Sequence, residues 1–147
     1  MRTRFTRFAL ASLAVAAVLA TGAPALAEMV TYKAALDGAS EVPPTDSKAT
    51  GTVEAKYDTA TKKLTWTVIY SGLSGDATAA HFHGPAKAGV NAGPVITLSG
   101  SLASPIKGEA TLTGPQAADL EAGLWYLNVH TAKHPPGEIR GQLMHSK

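Results

Sequence analysis

Leu64-Thr65-Trp66-Thr67-Val68-Ile69-Tyr70 decides the fold class. Its residues alternate with a period of two, so Leu64, Trp66 and Val68 share one face of a strand. A helix would scatter those three around its axis. The stretch before it, Tyr57-Asp58-Thr59-Ala60-Thr61-Lys62-Lys63, reads as a hairpin connection to an earlier strand. Outward from this pair, short β-rich runs alternate with Gly, Pro, Ser and Asp turns. The candidate strands are 31–36, 50–57, 63–70, 78–83, 95–98, 106–112, 125–129 and 138–144. Residues 115–123 hold Leu120 among helix formers and predict one or two helical turns ended by Gly123. Ser40 to Ala49 reads as a loop, in which Pro43-Pro44 favours an extended, exposed course. Seven or eight short strands predict an all-β, two-sheet Greek-key β-sandwich. A small closed barrel is the alternative.

The chain has 147 residues, enough for one hydrophobic core and one domain. Its 13 Lys and Arg against 11 Asp and Glu suggest a basic protein. Three of those, Arg2, Arg4 and Arg7, precede the apolar run Ala9–Ala20 and the A-x-A pattern Ala25-Leu26-Ala27. That order is the signature of a secretory signal peptide over residues 1–27, cleaved after Ala27. The apolar run falls short of the roughly 20 residues of a membrane span, so no stable membrane anchor is expected. Removing the three arginines leaves 10 basic against 11 acidic residues, a charge of −1 for the domain 28–147. Nucleic-acid binding thereby loses its electrostatic basis. The absence of Cys excludes disulfides, thiolate metal sites and Cys nucleophiles. An exported protein, periplasmic or extracellular, is expected.

Chemistry concentrates in five histidines: His81, His83, His130, His134 and His145. His81 and His83 lie two apart on a candidate strand, so their imidazoles point to one face. His130 ends another candidate strand and would supply a third nitrogen from a neighbour. Imidazole ligands without thiolate suit copper(II) or zinc. Set against this, a His-x-His pair is a weak motif, and half-buried histidines hydrogen-bonded to backbone are the plain alternative. No serine sits in a nucleophile elbow, and no two carboxylates stand out as a glycosidase pair. Phe82 points away from the two histidines and is expected in the core, as are Trp66 and Trp125. Tyr126 and Asn128 share the face of His130 and are candidates for orienting an imidazole. Glu138 and Arg140 share a face and would suit an ion pair.

Three stretches carry a resemblance. They are Leu36-Asp37-Gly38-Ala39-Ser40-Glu41-Val42-Pro43-Pro44, then Ala79-Ala80-His81-Phe82-His83-Gly84-Pro85-Ala86, then Leu124-Trp125-Tyr126-Leu127-Asn128-Val129-His130-Thr131 with Pro136-Gly137-Glu138-Ile139-Arg140-Gly141 after it. Together they resemble the CHRD domain family from about Tyr32 to Leu143. That resemblance implies an exported single domain and names no reaction. A more distant similarity is to copper-zinc superoxide dismutases, which are Greek-key sandwiches. There a His-x-His pair, a later His ending a Val-Val-His strand and a downstream arginine occur in this order. The similarity implies an immunoglobulin-like or superoxide dismutase-like sandwich with copper on His81, His83 and His130. It further implies Arg140 guiding a small anion such as superoxide. Zinc is less expected, because residues 84–94 lack the His and Asp of a zinc loop. His134 is a secondary candidate for the fourth ligand. His145 lies near the C-terminus and is expected to be mobile. Two rival functions stay open: an interaction module binding a protein or envelope component, and copper storage without turnover. Met29 and Met144 alone are little thioether for holding copper(I).

Overall fold

The computed structural model describes residues 26–147, and the expected leader lies outside the described residues apart from Leu26 and Ala27. Nine strands and one helix follow in the order β1 (Met29–Asp37), β2 (Thr50–Asp58), β3 (Lys63–Ser71), β4 (Ala77–His83), β5 (Pro94–Thr97), β6 (Ile106–Thr111), α1 (Gly114–Glu121), β7 (Tyr126–Thr131), β8 (Ile139–Gln142) and β9 (Met144–Ser146). The alternation in β3 survives as written: Leu64, Trp66 and Val68 are buried, Thr65 and Thr67 are not. Asp58 shapes the β2–β3 hairpin by accepting from the amides of Ala60 and Thr61 at 2.8 and 3.1 Å. Thr113 caps α1 through a reciprocal pair with Gln116, and Gly123 leaves the helix at φ 72°.

All pairings are antiparallel and run in the order β5-β4-β7-β8-β1-β2-β3-β6, with β9 added beside β1. The neighbours β3–β6, β4–β7 and β8–β1 are not consecutive in the chain and are the crossovers of a Greek-key arrangement. A single register pair, Asp37 with Arg140, joins β8 to β1. All nine strands thus belong to one nearly closed antiparallel sheet, with β5 and β6 at the ends of the path. Across the fold Phe82 of β4 meets Trp66 of β3 edge-on at 5.3 Å and lies 5.8 Å from Trp125. These rings centre a core that Leu36, Val53, Leu64, Ile106, Leu120, Leu127, Val129 and Ile139 complete.

Two expectations need correction. The run expected as one strand over 138–144 is two. Leu143 turns into the core and donates its amide to the Trp125 carbonyl at 2.9 Å, which splits β8 from β9. His145 is held rather than free at the end of the chain: it pairs with Tyr32 in register, and its exposed ring lies 5.9 Å from the tyrosine's.

Candidate metal centre

The site lies on the face of β4, β7 and β8 that turns away from the aromatic core. Register sets it out in rows. His83 is opposite Tyr126, which is opposite Gln142; His81 is opposite Asn128, which is opposite Arg140; Ala79 is opposite His130. Such a face would ordinarily be solvated. Here every residue of β7 is buried, because the loops around residues 38–46, 84–93 and 132–137 contact this face.

The three histidines come together as their spacing suggests, their ligand nitrogens all within 4.8 Å of one another. His81 Nδ1 and His130 Nε2 are 2.9 Å apart. His130 donates from Nδ1 to the Pro135 carbonyl at 2.8 Å, which leaves its Nε2 a lone pair aimed at His81. His83 donates from Nδ1 to the Ala92 carbonyl at 2.8 Å, and its Nε2 faces Asn128 Oδ1 at 2.9 Å. Asn128 is oriented by its own amide, which donates to the Pro136 carbonyl at 3.2 Å. Burial pushes the His81 and His83 imidazoles below their usual value; neighbouring histidines add to this, while for His83 the hydrogen bonds to Ala92 and Asn128 act against it. A shift in this direction favours the neutral imidazole, the form that binds metal. Backbone carbonyls on the far nitrogens fix the tautomers of His83 and His130, as is typical of metal-ligating histidines.

Asn128 and Tyr126 contact the site as expected. The Tyr126 ring stacks flat on His83 at 4.7 Å. His134 is not drawn into the cluster. It sits on the turn after β7 and lines a groove of about 460 Å³ with Glu41, Pro43, Pro44 and Pro136. Arg140 is 2% exposed, its guanidinium centre 3.4 Å over the Tyr126 ring. It donates to Asn91 Oδ1 at 2.9 Å and to the Val90 carbonyl at 2.7 Å.

The Glu138–Arg140 ion pair does not form, because hydroxyls claim the carboxylate. Glu138 accepts from Ser47 Oγ, Ser74 Oγ, Ser74 N and Thr131 Oγ1 at 2.6–2.8 Å. Burial pushes this carboxyl up, but these hydrogen bonds prevail and hold it at about 2. The acid beside Arg140 is Glu41, which sequence reasoning left in an exposed loop. It is 6% exposed, and burial raises its carboxyl to about 7 against the pull of Arg140. Pro43 and Pro44 are exposed as expected. No periodicity could mark Glu41 as buried, since loops from three parts of the chain enclose it.

The family model of the CHRD domain matches residues 32–143. No curated protein and no solved structure matches the chain. The match spans β1 through β8, the three histidines and the loops that enclose them, and the chain belongs to the CHRD domain family.

Proposed function

We propose that this protein is an exported copper-binding domain whose ligands are His81, His83 and His130. The observation that carries the reading is the convergence of three imidazole nitrogens within 4.8 Å of one another, two of the rings tied by the other nitrogen to a backbone carbonyl. With Nδ1 donating to Ala92, His83 Nε2 is the nitrogen left for a metal, and Asn128 Oδ1 stands 2.9 Å from it. All-imidazole ligation without thiolate fits copper(II), which lies above zinc in the affinity order.

A bound copper ion would supply one-electron chemistry, and a small anion such as superoxide is the substrate class we assign. His81 is the least buried of the three and marks the side open to solvent. The Arg140 guanidinium faces inward, so its contribution to an approaching anion is the field of its charge. Export rests on the leader pattern of residues 1–27, and no described helix is long and apolar enough to cross a membrane.

The test is the copper and zinc content of the purified protein after incubation with both ions. One copper per chain is expected, and none in the His81→Ala/His83→Ala variant. Equal metal in both proteins, or none in either, would return the histidines to a structural role and favour an interaction module.

A further inference from the structure

A buried guanidinium is costly unless it is paired. Arg140 is buried, and no carboxylate oxygen lies within 4.0 Å of it among the described residues. Its hydrogen bonds and its ring contact lead toward one imidazole. The guanidinium carbon lies over the Tyr126 ring, 3.4 Å from its centroid, and Tyr126 lies parallel to His83 at 4.7 Å. Three planar groups thus form one stack, which sets the plane of the His83 ring. The two forks of the guanidinium hold Val90 and Asn91, and Asn91 is tied in turn to the Val42 carbonyl at 2.8 Å. The next residue, Ala92, accepts from His83 Nδ1 at 2.8 Å, and its amide and carbonyl both meet the Tyr126 hydroxyl at 3.1 Å. That carbonyl fixes which nitrogen of His83 carries the proton.

We infer that Arg140 is the positioning residue for His83, holding its ring plane through Tyr126 and its tautomer through residues 90–92. The inference rests on the histidines being ligands and explains why an arginine stands there. A lysine keeps the charge, but it has no flat face to stack and its donors radiate from a single atom instead of forming a rigid fork. The same geometry accounts for a buried guanidinium that touches no carboxylate directly, Glu41 acting on it only at longer range, which guidance of an anion from solvent does not.

The experiment compares wild type with Arg140→Lys, each confirmed as folded by circular dichroism. Long-range proton–nitrogen spectra of the metal-free proteins report the imidazole tautomers directly. In wild type His83 and His130 both carry the proton on Nδ1. In Arg140→Lys, His83 becomes a mixture of tautomers while His130, held by Pro135, stays as it was. Copper affinity falls 10- to 100-fold in the variant. If Arg140→Lys does not fold, Asn91→Ala removes one arm of the same clamp and is read in the same way. An unchanged His83 tautomer in a folded variant overturns the inference even if wild type binds copper. A tautomer shift in a protein that binds no metal leaves the positioning role standing and sinks the metal reading alone.

Discussion

Replacing Glu138 by glutamine should destabilise the fold by about 3 kcal/mol at pH 7. The carboxyl is fully buried and falls from the usual 4.5 to about 2. Each unit of that fall is worth about 1.36 kcal/mol, which gives about 3 kcal/mol for the charge alone. The hydrogen bonds give the same scale, because bonds to a charged acceptor are worth about twice neutral ones. Glutamine removes the charge and turns one acceptor into a donor facing Ser47, Ser74 and Thr131. The sign of the pH dependence follows from the lowered value. The contribution is complete above the unfolded value of 4.5 and is lost as pH falls through 2. Urea unfolding of wild type and Glu138→Gln between pH 7 and pH 2 measures it as a difference. That difference should be about 3 kcal/mol at pH 7, under half of that at about pH 3, and nearly gone at about pH 2. A difference that is the same at pH 7 and pH 3 would refute the charge as the source. A difference below about 0.5 kcal/mol at pH 7 would refute the hub itself.

Glu41 should act with the opposite sign. Its carboxyl is raised to about 7, so it penalises the folded state above 4.5, and Glu41→Gln should gain up to about 3 kcal/mol at pH 8 and nothing at pH 4 in the same unfolding assay. Gly137 sits at φ 139°, and a Cβ there would run into the Glu41 carboxylate and lie 2.6 Å from Asn128 Nδ2. Gly137→Ala should therefore cost more than about 2 kcal/mol in urea unfolding. Phe82→Ala, which empties the centre of the core between Trp66 and Trp125, should cost about 3–5 kcal/mol. Copper at a hundred times its dissociation constant should stabilise wild type by about 2.7 kcal/mol in thermal unfolding and leave His130→Ala unmoved.

The strands β1 to β4 and β6 were legible to within about two residues, because one face of each packs on the core and the sequence alternates accordingly. The shared face of His81 and His83 was legible for the same reason. Bringing His130 to them needed only that β7 lie beside β4. What escaped was set by loops. Nothing in Tyr126–Thr131 signals that both faces are buried, since the cover comes from residues far away in the chain. The hydroxyls that take Glu138 from Arg140 come from residues 47, 74 and 131, and period-two spacing cannot foresee partners at such separations. The break at Leu143 likewise depends on a single amide reaching Trp125.

The most direct test of the metal centre is anomalous diffraction at the copper edge from crystals of the copper-loaded protein. The account predicts one strong peak about 2 Å from a nitrogen of each of His81, His83 and His130, with His83 Nε2 turned from Asn128 to the ion. Crystals in which no peak lies among the three rings, or in which the peak sits at His134 or His145 instead, would contradict it.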